Sequence, residues 1–121
     1  MRNSPVTAEA EQLLKQAYAA FNARKVDAAL ALMCVDVVWP NGMEGGVVHG
    51  HTGVREYWTR QWKMIDPTVH PLSITEEASG CFDVQVHQVV KDLEGVVLMD
   101  RIVHHAYRIR DGLIASMDIR E

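Results

Sequence analysis

Phe82-Asp83-Val84-Gln85-Val86-His87-Gln88-Val89-Val90-Lys91 and, after the turn Asp92–Gly95, Val96–Arg110 (VVLMDRIVHHAYRIR) decide the fold. Apolar and polar residues alternate along both. Successive side chains of an extended chain point to opposite sides. Phe82, Val84 and Val86 therefore share one face and Asp83, Gln85 and His87 the other. In the second stretch Met99, Val103, His105, Tyr107 and Ile109 share a face. Period two over this length predicts strands.

Working outward, Asp111-Gly112 suits the positive φ angles of a tight turn and joins Val96–Arg110 to a further strand, Leu113–Arg120. Upstream, Ser79-Gly80 separates Phe82–Lys91 from Val69–Ala78. Four consecutive strands with short connections predict an antiparallel sheet. Before them the period changes. Ala10, Leu13, Leu14, Ala17, Tyr18 and Phe21 recur every three or four residues, the stripe of a helix that Ser4 or Thr7 caps and the polar patch Asn22–Lys25 ends. Val26–Met33 reads as a short second helix. Asp36–Trp39 reads as a short strand stopped by Pro40, which has no amide hydrogen for a ladder. The glycine-rich Asn41–Gly50 is a loop with a brief hairpin at Val47-Val48. Thr52 caps a third helix, Gly53–Ile65, with Val54, Tyr57, Trp58, Trp62 and Ile65 on its stripe. Asp66-Pro67 ends it. Helices followed by a sheet predict an α+β fold with the helices on one sheet face. A twisted sheet closed by helices leaves a cavity.

With 121 residues, 48% of them hydrophobic, the chain is expected to form one globular domain over residues 1–121. A net charge of −4 with no cluster of Lys and Arg argues against nucleic acid as a partner. No apolar run is long enough to span a bilayer, and the N-terminus lacks the apolar segment of a signal peptide. Two cysteines, Cys34 and Cys81, do not make a disulfide framework. The expected location is the cytoplasm.

Several phrases, in this order and spacing, resemble the SnoaL-like branch of the nuclear transport factor 2 superfamily, relatives of ketosteroid isomerase and the polyketide cyclases. They are Ala17-Tyr18-Ala19-Ala20-Phe21-Asn22, Asp27–Met33, Asp36-Val37-Val38-Trp39-Pro40, Gly50–Trp58, Val86–Asp92, and His105-Ala106-Tyr107 running into Asp111-Gly112-Leu113-Ile114. The resemblance implies a cone-shaped, curved antiparallel sheet packed against three N-terminal helices, a deep pocket between them, and a homodimer formed through the sheet. It does not imply one reaction. Ketosteroid isomerase uses an aspartate base, a tyrosine and a protonated aspartic acid. Aligned here, the base position falls on Trp39, the tyrosine within one residue of Tyr18, and the second aspartate on His105. A standard ketosteroid isomerase is therefore not expected.

His105 is the first candidate for chemistry. It shares a face with Val103, Tyr107 and Ile109, and an imidazole near its ordinary pKa exchanges protons at neutral pH. A buried, hydrogen-bonded structural histidine is the competing reading. The family register puts the His87 and Gln85 face in the pocket too, with Phe82, Val84 and Val86 as a back face covered by a second subunit. Alternation alone also allows the reverse, a polar row facing water over an apolar core. Tyr18 could donate to a substrate oxygen. Trp39, Tyr57, Trp58, Trp62, Val103, Tyr107 and Met117, with Gln85, are the expected lining, although aromatics at helical spacing also simply fill cores. His49-Gly50-His51, with His70 or His104–His105, lacks a recognised ligand spacing, so no metal or other cofactor is expected. Two readings stay open. One is a cofactor-independent acid–base enzyme of isomerase, cyclase or dehydratase type acting on an apolar carbonyl or hydroxyl compound, with His105, His87 and Tyr18 as its catalytic groups. The other is a non-catalytic small-molecule-binding or accessory dimer.

Overall fold

The apolar stripe that ends at Phe21 becomes helix α1 (Pro5–Asn22), which buries Ala10, Leu13, Leu14, Ala17 and Tyr18. The structure, a computed structural model, describes residues 5–120. The expected cap Ser4 lies outside them, and Thr7 falls within the helix rather than before it. Asn22 closes α1 by pairing like a short strand with Val69: its Nδ2 donates to the Val69 carbonyl (2.8 Å) and its Oδ1 accepts from the Val69 amide (3.0 Å). Helix α2 (Val26–Leu30) is shorter than its periodicity suggests, because Met33 already belongs to strand β1 (Met33–Pro40), opposite Ile114. Pro40 is tolerated as the last residue of β1, where it faces Val47 of β2 (Val47–His49).

Helix α3 spans Gly50–Met64 and starts ahead of the expected cap Thr52. The chain enters through extended His49 and Gly50 at φ 73°. A Cβ on Gly50 would also lie 3.2 Å from the Val35 carbonyl, so both conformation and space favour glycine. Four strands follow: β3 (Asp66–Ala78), β4 (Cys81–Lys91), β5 (Val97–Arg110) and β6 (Leu113–Arg120). The sheet runs β2-β1-β6-β5-β4-β3. Every pair is antiparallel except β1 with β6, which sets the first strand of the chain beside the last. The architecture is the expected α+β one, three helices against one open sheet.

The sheet resolves the sign of the alternation. Phe82 faces Tyr107, Val84 faces His105 and Val86 faces Val103 across β4–β5, and all six side chains are buried against the helices. Asp83, Gln85 and His87 lie on the opposite, outer face. There His87 Nε2 bonds Asp100 Oδ1 (2.7 Å) and His104 Nδ1 bonds Asp83 Oδ2 (2.8 Å). The expectation that His87 and Gln85 look into the same hollow as His105 is overturned. The reason is desolvation: placing that row under the helices would bury a carboxylate, an amide and an imidazole while exposing the valines. The same correction removes Phe82, Val84 and Val86 as a subunit-facing row, since all three are buried within the chain.

No described helix is long and apolar enough to cross a membrane. Cys34 and Cys81 are free thiols.

Candidate functional site

Between the helices and the inner sheet face lies a cavity of about 230 Å³. Its wall is overwhelmingly apolar and aromatic, and among the described residues lining it none is Asp or Glu. Three polar side chains from two elements meet at one side. Tyr18 comes from the buried stripe of α1. His105 and Tyr107, two apart on β5, face inward together. The Tyr107 hydroxyl donates to the Tyr18 oxygen (2.8 Å), and the Tyr18 hydroxyl and His105 Nδ1 are also 2.8 Å apart. With Tyr18 accepting from Tyr107, its own hydrogen goes to Nδ1. The imidazole then carries its proton on Nε2.

The electrostatics support that order. His105 is 5% exposed, and burial pushes its pKa down from 6.5 to about 4, against the opposing pull of Asp83 and with a small push from His104. At neutral pH the ring is uncharged. Burial likewise pushes the Tyr18 and Tyr107 phenols up, so neither ionises near neutrality. The trio is a neutral hydrogen-bonded chain that ends in an imidazole N–H. The Tyr18 ring lies nearly parallel to His105 (centroids 5.9 Å apart, planes at 15°), and Tyr107 meets Tyr18 edge-on. These contacts fix both rings in place.

The aromatic wall comes from α3 and β1. Trp39 packs edge-on against Trp58 at 5.6 Å and against Tyr107 at 6.3 Å. Tyr57, Met117 and Ile119 also line the cavity. Trp62 does not. It packs on Phe21 and Trp58, with the Arg24 guanidinium over its ring at 5.1 Å. Arg24 reaches Asp66 as well, which ties the α1–α2 turn to β3. Val103 is buried under the wall rather than in it.

The rim is the loop after β1, and Asn41 builds it. Asn41 is buried, and its Oδ1 accepts from the amides of Met43 (3.1 Å) and Glu44 (2.8 Å) while its backbone pairs with Gly45 and Gly46. That fold presents the Gly42 amide to the Tyr57 hydroxyl at 3.0 Å. Gln61, one turn on from Tyr57, donates to the same oxygen at 3.2 Å and lines the cavity.

Of the residues expected from sequence, Tyr18, His105, Tyr107, Trp39, Tyr57, Trp58 and Met117 come together around the cavity. His87, Gln85, Trp62 and Val103 do not. Gln61 and Gly42 were not foreseen. Gln61 sits at i+4 from Tyr57, a spacing that puts both on one helix face, but nothing local says that a loop closes over them. His51 Nε2 lies 3.0 Å from the Met33 carbonyl, and no group of three or more metal-ligating side chains occurs among the described residues.

Residues 14–117 match the family model described as the SnoaL-like domain. Among solved structures, TerC co-crystallised with polyporic acid is 24% identical with a TM-score of 0.81, the alignment covering 92% of this chain and 89% of that one. A candidate polyketide cyclase from Sinorhizobium meliloti is 18% identical (TM-score 0.77; 90% and 94% covered). A Mycobacterium tuberculosis protein in complex with estradiol-17β-hemisuccinate is also 18% identical (TM-score 0.74; 95% and 92% covered). At these identities the likeness is one of fold. No curated protein is a significant match to the chain.

Proposed function

The chain belongs to the SnoaL-like domain family, and from that premise we propose that its cavity binds an apolar carbonyl compound and activates it without a cofactor. The observation that carries this reading is the buried chain Tyr107–Tyr18–His105 at a mostly apolar wall. His105 acts as a neutral donor, its Nε2–H bonding the ligand's carbonyl oxygen. Its lowered pKa makes it a poor base at neutral pH but leaves it a fixed dipole where negative charge develops on oxygen. Tyr18 and Tyr107 orient the ring and strengthen the bond by passing polarisation along the chain. The reaction class is one in which an enolate forms, as in isomerisation, aldol cyclisation or dehydration. The described wall carries no carboxylate to take the carbon-bound proton, so that proton passes to solvent or to a basic group on the substrate. That TerC was crystallised with polyporic acid and the mycobacterial protein with an estradiol ester supports a small organic ligand here.

The lack of a wall carboxylate, with Trp39 at the position of the family's base, favours a second reading: a binding module with the same ligand and no turnover. One experiment separates them. In D₂O the enzyme reading expects wild type to accelerate deuterium exchange at the α-carbon of 1-tetralone, read by NMR, and His105→Ala to lose that acceleration. Saturable quenching of tryptophan fluorescence by 1-tetralone with no exchange above buffer would leave the binding module. Exchange unchanged in His105→Ala would remove His105 from the chemistry.

Assembly as a homodimer through the sheet belongs to the same proposal. The family habit supports it, and Ile102, about half exposed on the outer face between the two His–Asp pairs, offers it an apolar contact. Sedimentation giving a monomer at micromolar concentration would remove it. The free thiols Cys34 and Cys81 support a reducing compartment such as the cytoplasm.

A further inference from the structure

We infer that the cavity has a second polar pole, Tyr57 with Gln61 against the Gly42 amide, and that this pole takes a hydroxyl group on the ring system whose carbonyl lies at His105. The inference rests on the carbonyl-binding reading above and specifies its ligand further.

The Tyr57 oxygen accepts from the Gly42 amide (3.0 Å) and from Gln61 Nε2 (3.2 Å). A phenol oxygen has two lone pairs, so its accepting capacity is used. Its own hydrogen must point elsewhere, and the two incoming bonds make it a better donor. Beside it, Gln61 Oε1 is buried and has no hydrogen-bond partner among the described residues. Buried acceptors are almost always paired, and one left unpaired in a native protein calls for an explanation. Both side chains line the cavity. A donor and an unpaired acceptor side by side select for a group that can do both. A hydroxyl accepts from Tyr57 and donates to Gln61. A carbonyl would leave Gln61 unpaired, and an ammonium could not accept from Tyr57.

The spacing gives the ligand its length. Gly42 lies just past the end of β1, two strands across from β5 through β6. A Cβ placed on Gly42 would lie 3.8 Å from Ile119, and Ile119 is the cross-strand partner of His105. The two poles therefore sit at the same level along the strands, separated by two strand spacings or roughly 10 Å at the backbone. Trp39, Met117 and Ile119 supply the apolar wall. A fused ring system with a carbonyl at one end and a hydroxyl at the other matches this pattern.

The test compares 6-hydroxy-1-tetralone with 1-tetralone by titration calorimetry near pH 6, where the phenol stays protonated. Wild type should bind the hydroxylated ketone about tenfold tighter or more. Tyr57→Phe and Gln61→Leu should each reduce that ratio to about twofold or less. The ratio is the readout because general damage to the cavity weakens both ligands alike. Equal affinities in wild type, or a preference that survives both substitutions, would overturn the second pole while leaving 1-tetralone binding and the carbonyl reading intact. Failure of both ketones to bind would remove the carbonyl reading and this inference together.

Discussion

Acidification should weaken this protein through His105, and the size of the effect follows from burial. The ring titrates near its ordinary 6.5 in the unfolded chain and near 4 in the folded one. Because the folded value is lowered, the unfolded chain binds the proton more readily. The contribution is fully present above pH 6.5 and is lost as pH falls towards 4. Linkage across that gap removes about 2 kcal/mol by pH 5, relative to pH 8, and about 3 kcal/mol below pH 4. The difference between wild type and a variant at this position carries the test, because it isolates His105 from the rest of the chain. His105→Gln keeps a side chain that can accept from Tyr18 but cannot be protonated. Urea unfolding followed by tryptophan fluorescence at pH 5, 6, 7 and 8 should show a wild-type stability curve steeper than that of His105→Gln by about 2 kcal/mol over the range. Parallel curves, or an imidazole resonance of His105 that titrates near pH 6.5 in the folded protein, would refute the reasoning.

Three further outcomes follow from the same geometry. Tyr18→Phe strands Tyr107 Oη and His105 Nδ1 in a buried site, and should lower stability by about 1–3 kcal/mol and abolish any α-carbon exchange, measured by thermal melting and NMR. Val84→Asp places a charge in the core opposite His105 and should prevent folding, whereas Gln85→Asp on the outer face should change stability by about 0.5 kcal/mol or less; circular dichroism of the pair checks the sign of the alternation. Asn41→Ala removes the acceptor of two loop amides, and should cost about 1–2 kcal/mol and weaken 1-tetralone binding through a loosened rim, read by melting and calorimetry.

Much of the fold was legible because it rests on local periodicity. The strands β4, β5 and β6 were visible as period-two runs, and Asp111-Gly112 marked the last hairpin. Boundaries failed where backbone geometry outweighed side-chain pattern. Thr52 looks like a cap, but Gly50 at positive φ starts α3 earlier. Met33 continues the helical stripe of α2, but the parallel pairing with Ile114 takes it into β1.

The site was half legible. His105 could be placed inward because Val103 and Tyr107 flank it on the same face. His87 departs from the register that the resemblance implies and follows the simpler rule that the apolar side of a strand goes inside. The chain from Tyr107 through Tyr18 to His105 was not legible as a hydrogen-bonded unit. Its members lie 87 and 89 residues apart in sequence, and such contacts leave no periodic trace. Gln61 was missed for a related reason, since its burial depends on a loop that Asn41 folds from outside the helix.

Tyr18, Trp39, Tyr57, Trp58, Tyr107 and Met117 belong at once to the cavity wall and to the hydrophobic core cluster of the described residues. Room for a guest and cohesion of the host are thus drawn from the same atoms. Enlarging the chamber by trimming any of these side chains loosens the whole domain, and a molecule that fills the void tightens it. Drift towards new ligands should therefore begin at positions 43–46 of the rim loop, where shape can vary without thinning the interior.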